Sequence, residues 1–135
     1  VELFATVRPQ REPHYFNLEM NCCGVLHLGF GPDRHERRLV DEARARRIEV
    51  ATSESGPPRA ESEGDRHWWL SVRLPFDVLA EFIDRPVGPE PGSTWRGNFY
   101  RCGGQTNAQF GCWNPIESPR PDFHRPEHFG TLHFA

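Results

Sequence analysis

Apolar and polar positions alternate along this chain in short runs, separated by Gly- and Pro-rich breaks. From His14 to Asn21, Phe16, Leu18 and Met20 fall on one side of an extended chain. Tyr15, Asn17, Glu19 and Asn21 fall on the other, which is the period of a half-buried strand. His67–Leu74 repeats the pattern, with Trp68, Leu70, Val72 and Leu74 predicted on the inner face and Trp69, Ser71 and Arg73 outside. Further strands are predicted over Val1–Val7, Gly24–Phe30, Ile48–Thr52, Thr94–Cys102, Gln109–Trp113 and Gly130–Phe134. Phe76, Leu79, Ala80 and Ile83 recur at helical spacing after Pro75, a residue suited to a helix start. Asp41–Arg46 suits a short helical turn within a charged connector, and Gly103-Gly104 a turn. Residues 53–66, rich in Ser, Glu, Gly and Pro, read as a mobile loop. Four prolines make Pro115–Pro126 irregular. The sum predicts an all-β fold, an antiparallel two-layer β-sandwich of the immunoglobulin or jelly-roll kind with one or two short helical turns.

Composition narrows this. With 135 residues the chain is predicted to form one domain over 1–135, and its 12 Gly and 13 Pro favour many turns over a helical bundle. A formal charge of −3 argues against nucleic acid as a partner. No apolar run approaches the ~20 residues of a membrane span. All 16 basic residues are Arg, so any polar site carries planar, bidentate donors that also stack on aromatic rings. Cys22, Cys23, Cys102 and Cys112 form no C-x-x-C pair, which argues against a thiolate zinc site. Buried free thiols are expected, or one disulfide joining Cys22 or Cys23 to Cys102 or Cys112.

Aromatic faces beside Asn, Gln and Arg are concentrated between Trp95 and Phe134. That combination suits a ligand with polar edges and apolar faces, as a sugar ring has. Trp113 ends its strand before Asn114-Pro115; it is either an exposed stacking platform or a core residue capping the sandwich. Trp95 poses the same choice, and Trp69 is a lesser ligand candidate. Asn17, Glu19 and Asn21 form one polar row, and Asn98 and Tyr100 another with Arg96 beside them. Arg101 falls on the strand face opposite Asn98 and is retained because a strand-end side chain can reach around. His124, Glu127 and His128 have an i, i+4 histidine spacing, but Pro126 lies between them. This favours hydrogen-bonded turn residues over a helical metal site. No G-x-S-x-G and no phosphate loop is present.

Several stretches together resemble the family 9 carbohydrate-binding modules, in their bacterial family 9-like branch found in secreted and cell-envelope proteins. They are V-E-L-F at 1–4, Y-F-N-L-E-M-N-C-C-G-V-L at 15–26 and W-L-S-V-R-L-P-F at 69–76. W-R-G-N-F-Y-R-C-G at 95–103, W-N-P-I at 113–116 and F-H-R-P-E-H-F-G-T-L-H-F at 123–134 complete the set, in order over nearly the whole chain. The resemblance implies a β-sandwich that binds saccharides without chemistry. It implies sugar contact by Glu2 and an aromatic clamp, and an extracellular or cell-envelope module of a longer carbohydrate-processing protein. The family's opening strands, expected before V-E-L-F, are not matched by residues here, and the resemblance leaves a structural calcium possible without placing its site on an acidic cluster. The candidate ligand set is Trp113, Glu2, Asn17, Glu19, Asn98 and Arg101. The rival readings are an interaction or spacer domain that has lost the sugar site and a fragment of a glycoside hydrolase.

Overall fold

A computed structural model describes residues 1–11, 13–54, 56, 67–88, 90–103 and 108–135. The chain order is β1 (Glu2–Thr6), β2 (Tyr15–Met20), β3 (Leu26–Gly31), β4 (Arg38–Leu39), α1 (Glu42–Ala45) and β5 (Glu49–Thr52). Then follow β6 (Leu70–Arg73), α2 (Phe76–Ile83), β7 (Thr94–Gly103), β8 (Gln109–Cys112), a 3-10 turn (Pro126–His128) and β9 (Gly130–His133). The large sheet runs β4-β3-β2-β1-β7-β8, with β9 also on β7, and β5 pairs with β6 separately; every pairing is antiparallel. The fold is all-β, as the alternating runs predict.

Strand parity gives the large sheet two distinct faces. On one, Ala5, Phe16, Leu18, Leu28, Phe30 and Trp95 pack under α2 and the β5–β6 pair. In β2, Phe16 and Leu18 are the side chains that alternation assigns inward. Trp95 is a core residue, edge-on to Phe16, Phe76 and Phe134, which settles its alternative. The opposite face holds a second, smaller core of Phe4, Tyr15, Tyr100 and Phe129, roofed by Ile116 and Phe123 from the segment after β8. The polar side of β2, expected outside, is therefore covered: Tyr15, Phe16, Asn17 and Leu18 are all buried.

Two further expectations shift. Helix α2 buries Val78, Leu79, Phe82 and Ile83, so its apolar stripe includes Val78 and Phe82, while Phe76, the first helical residue, is half-exposed against Trp95. Strand β6 starts only at Leu70, and Trp68 ahead of it is half-buried; Val72 and Leu74 pack on the main core. The parity of that segment is as read, with Trp69, Ser71 and Arg73 outward. The loop expected at 53–66 and the turn at Gly104 fall mostly outside the described residues. All four cysteines are free, with Cys102 and Cys112 exposed rather than buried. Cys22 and Cys23 sit in the β2–β3 turn, separated by β1 from the β7–β8 pair that carries the other two.

Candidate functional site

Register decides which candidate residues can act together. Glu2 pairs with Glu19 on β2 and with Tyr100 on β7, and Glu19 pairs in turn with His27 on β3. One row therefore runs His27–Glu19–Glu2–Tyr100–Cys112 across the face of the smaller core. The next row is Gly29–Asn17–Phe4–Asn98. Glu2, Asn17, Glu19 and Asn98 thus share one sheet face. Trp113 and Arg101 lie on the other, because the Trp113 N–H bonds to the Phe99 carbonyl and its ring meets the Phe99 ring, and Arg101 is two residues along β7 from Phe99.

Two members of the candidate set are internal. Asn98 has 0% exposure. Its Nδ2 donates to the Asn114 carbonyl at 2.8 Å and its Oδ1 accepts from the Asn114 N–H at 2.8 Å. The side chain is spent clamping the post-β8 segment onto β7 and has no surface for a ligand. Asn114 continues the chain of bonds, its Nδ2 donating to the His128 carbonyl at 2.8 Å. Asn17, 1% exposed, donates to Glu19 Oε1 at 2.6 Å. A Cβ on the facing Gly29 would lie 2.7 Å from Asn17 Oδ1, so only glycine leaves room for this buried amide. Asn17 can influence a ligand only through the carboxylate it orients.

Glu19 is also ion-paired to Arg37 at 3.5 Å. Glu2, beside Glu19, has its carboxyl pushed up to about 7, first by burial and second by the Glu19 charge, against a smaller opposing pull from the Val1 ammonium. This is the ordinary response of a half-buried acid next to another. The two carboxyls stand side by side on one flat sheet face. Hydrolysis of a glycosidic bond needs them on either side of it. Deeper in, the Tyr15 hydroxyl bonds to His124 Nδ1 at 2.7 Å. Burial holds the His124 imidazole down to about 4 and raises the Tyr15 phenol to about 12, so both groups of this hydrogen-bonded pair are neutral. His124 is a structural hydrogen-bonding residue of the covering segment, as the Pro126 argument expects. Arg125 pairs with Glu127 at 2.8 Å, and the Arg96 guanidinium holds the Phe129 carbonyl.

On the opposite face, Trp113 is 53% exposed and Phe99 47%. Their ring centroids are 6.0 Å apart at 75°. The inner edge of the indole rests on β9: a Cβ at Gly130 would be 2.7 Å from it. The indole is therefore supported by Phe99 and by β9 and is half-exposed. Arg101 is exposed and its Nη1 bonds to the Cys102 carbonyl at 2.9 Å. Sequence reasoning missed Phe99; the parity that separates Arg101 from Asn98 places Phe99 with Arg101, and that was the available signal.

A shallow cleft of about 230 Å³ lies on the carboxylate side, between Phe110 of β8 and the covering segment, lined also by Arg120, Asp122 and Phe123. Phe110 is 56% exposed. Among the described residues, no three His, Cys, Asp or Glu groups gather as a cation-holding set, and Arg37 already answers Glu19. The described side chains alone do not assemble a site for the structural calcium that the resemblance leaves possible. No described helix is long and apolar enough to cross a membrane.

Comparison with known proteins agrees with the fold. Among solved structures, a proposed carbohydrate-binding protein from Bacteroides uniformis ATCC 8492 superposes with a TM-score of 0.84 at 34% identity. The match covers 99% of this chain and 60% of that one, so the chain spans about three fifths of its neighbour. No curated protein gives a significant match. The family model for Carbohydrate-binding family 9 matches residues 1–134, and the chain belongs to that family.

Proposed function

We propose that this domain binds a saccharide on the ledge formed by Trp113 and Phe99, without catalysing a reaction on it. The observation that carries the reading is the Trp113 ring, half-exposed yet held by Phe99 and by the backbone at Gly130. A pre-positioned indole loses little conformational freedom on binding and takes apolar C–H surface of a pyranose out of water. Arg101, on the same face, supplies planar donors for ring hydroxyls. Glu2 and Glu19 lie behind the sheet from this ledge and cannot touch the same ring.

A second saccharide surface is favoured by one specific observation, the concave cleft at Phe110 beside Arg120 and Asp122. It shares its sheet face with Glu2 and Glu19. In either version the domain is a module of a longer extracytoplasmic carbohydrate-processing protein; the longer chain of the solved neighbour supports that organisation. Calorimetric titration with β- and α-linked oligosaccharides, comparing Trp113→Ala with Phe110→Ala, separates the two surfaces. Loss of binding only in the Trp113 variant supports the ledge. Loss only in the Phe110 variant moves the site to the cleft. A folded protein that binds none of a broad panel supports the spacer reading instead.

A further inference from the structure

The β2–β3 turn carries a feature that saccharide binding does not use. Cys22 and Cys23 are adjacent, both partly exposed and free, and their Sγ atoms are 3.7 Å apart. The turn that presents them is braced. The Asn21 side chain accepts the N–H groups of Cys23 at 3.0 Å and Val25 at 2.9 Å, Gly24 takes a φ of +78°, and Thr52 Oγ1 of β5 donates to the Cys22 carbonyl. Cys23 Sγ also donates to the Gly56 carbonyl at 3.3 Å. Both sulfurs are thus held on one side of a fixed turn, although successive side chains of an extended chain point apart.

Direct oxidation of this pair is disfavoured. Consecutive Cα atoms are ~3.8 Å apart, while disulfides need ~4.4–6.8 Å between Cα atoms. A third atom between the sulfurs removes that constraint. With sulfur–ligand bonds of ~2.3 Å, as for a thiolate–zinc bond, a 3.7 Å separation closes at an angle of roughly 107°. That suits a pyramidal or tetrahedral soft centre. A linear two-coordinate centre with the same bonds needs the sulfurs about 4.6 Å apart. A protein-only tetrahedral metal site needs more donors than the turn supplies, since the described residues gather no set of three. A trivalent centre that brings its own third substituent needs only the two sulfurs.

We propose that Cys22 and Cys23 form a dithiol chelation site for trivalent, thiophilic metalloid compounds, of which an organoarsenic oxide is the simplest. In the reaction two S–H bonds break, two As–S bonds form, and the oxide oxygen leaves with both protons as water. Arsenic remains trivalent, so no oxidant or reductant is required. Burial and the neighbouring Cys22 thiol raise the Cys23 thiol above its ordinary value.

The test uses the reduced full chain and phenylarsine oxide in excess glutathione, which competes away single-thiol adducts but not chelates. Intact mass should show one phenylarsenic unit per chain, with peptide mapping of the unmutated protein placing it across Cys22 and Cys23. Cys22→Ser and Cys23→Ser should each weaken retention at least 100-fold. The Cys102→Ser/Cys112→Ser double variant should retain it fully, and 2,3-dimercaptopropanol should strip it. Mapping to Cys102 or Cys112, equal retention by either single Ser variant, or no adduct on the folded chain would each overturn the proposal. Mapping on the unmutated protein keeps the test decisive if a Ser variant does not fold.

Discussion

Replacing Asn98 by Ala tests how the site is built rather than what it binds. Asn98 holds both backbone groups of Asn114, donating to the carbonyl and accepting from the N–H, each at 2.8 Å. Two such bonds contribute ~0.5–1.5 kcal/mol each, and a buried backbone group left without a partner costs ~1–3 kcal/mol. Asn114 is half-buried, so water can reach part of what the substitution exposes. The loss should therefore come to ~2–4 kcal/mol. Reversible urea denaturation measures it as a shift in midpoint at unchanged slope. The same variant should also weaken ligand binding, because Trp113 adjoins the released Asn114, although Asn98 itself touches no solvent. A loss below ~0.5 kcal/mol would refute the reasoning, since the covering segment would then be held by something other than Asn98.

Trp95→Ala should cost ~3–5 kcal/mol, as large aromatic truncations in cores do, because Trp95 packs on three aromatic rings. Trp68→Ala should cost under ~2 kcal/mol, since Trp68 is half-buried ahead of β6; denaturant midpoints of the two variants check the order. The pH dependence of stability should be nearly flat from 4.5 to 6.5 because two groups oppose each other. The native state binds fewer protons than the unfolded chain at His124, whose pKa falls from 6.5 to about 4, so that contribution is lost as pH falls through the window. It binds more at Glu2, raised from 4.5 to about 7, so that contribution is lost as pH rises. Glu2→Gln removes the second arm. The variant should lose stability on acidification from 6.5 to 4, and at pH 8 should exceed the parent by up to ~1 kcal/mol after allowing for solvent screening of a half-exposed group. Urea midpoints across pH check it, and a flat profile in the variant would contradict the assignment.

Most strands were legible as short apolar runs between Gly and Pro breaks, and in β2 alternation also encodes the main-core residues Phe16 and Leu18. Parity also separated Asn98 from Arg101 correctly, since it is local geometry. What parity does not encode is which face another part of the chain will cover. The segment from Asn114 to Phe129 folds back over the polar side of β2 through contacts more than a hundred residues apart, such as Tyr15 to His124. This is why Asn17 and Asn98, polar and regularly spaced, read as ligand contacts and proved internal. Helix α2 shows a different limit. Phe76 fits a helical stripe on spacing, but as the first residue after Pro75 it lies at the helix margin beside Trp95, and Val78 and Phe82 take the buried positions. Trp113 remained ambiguous in the sequence because an exposed Trp and a capping core Trp share the same flanks; its exposure depends on β9 presenting a glycine beneath it.

A supported, half-exposed Trp113 is the feature proposed to make this family 9 domain a saccharide binder. The most direct measurement is calorimetric titration of the wild-type protein and Trp113→Ala with a panel of short oligosaccharides, with a denaturation curve for each protein. Weak wild-type binding is expected, because sugar hydroxyls are already well hydrated and each hydrogen bond nets only ~0.5–1.5 kcal/mol. Trp113→Ala should lower affinity at least ~10-fold, which is ~1.4 kcal/mol, while costing under ~1 kcal/mol of stability because half the ring is already in water. Unchanged affinity in a folded Trp113→Ala protein would contradict the account.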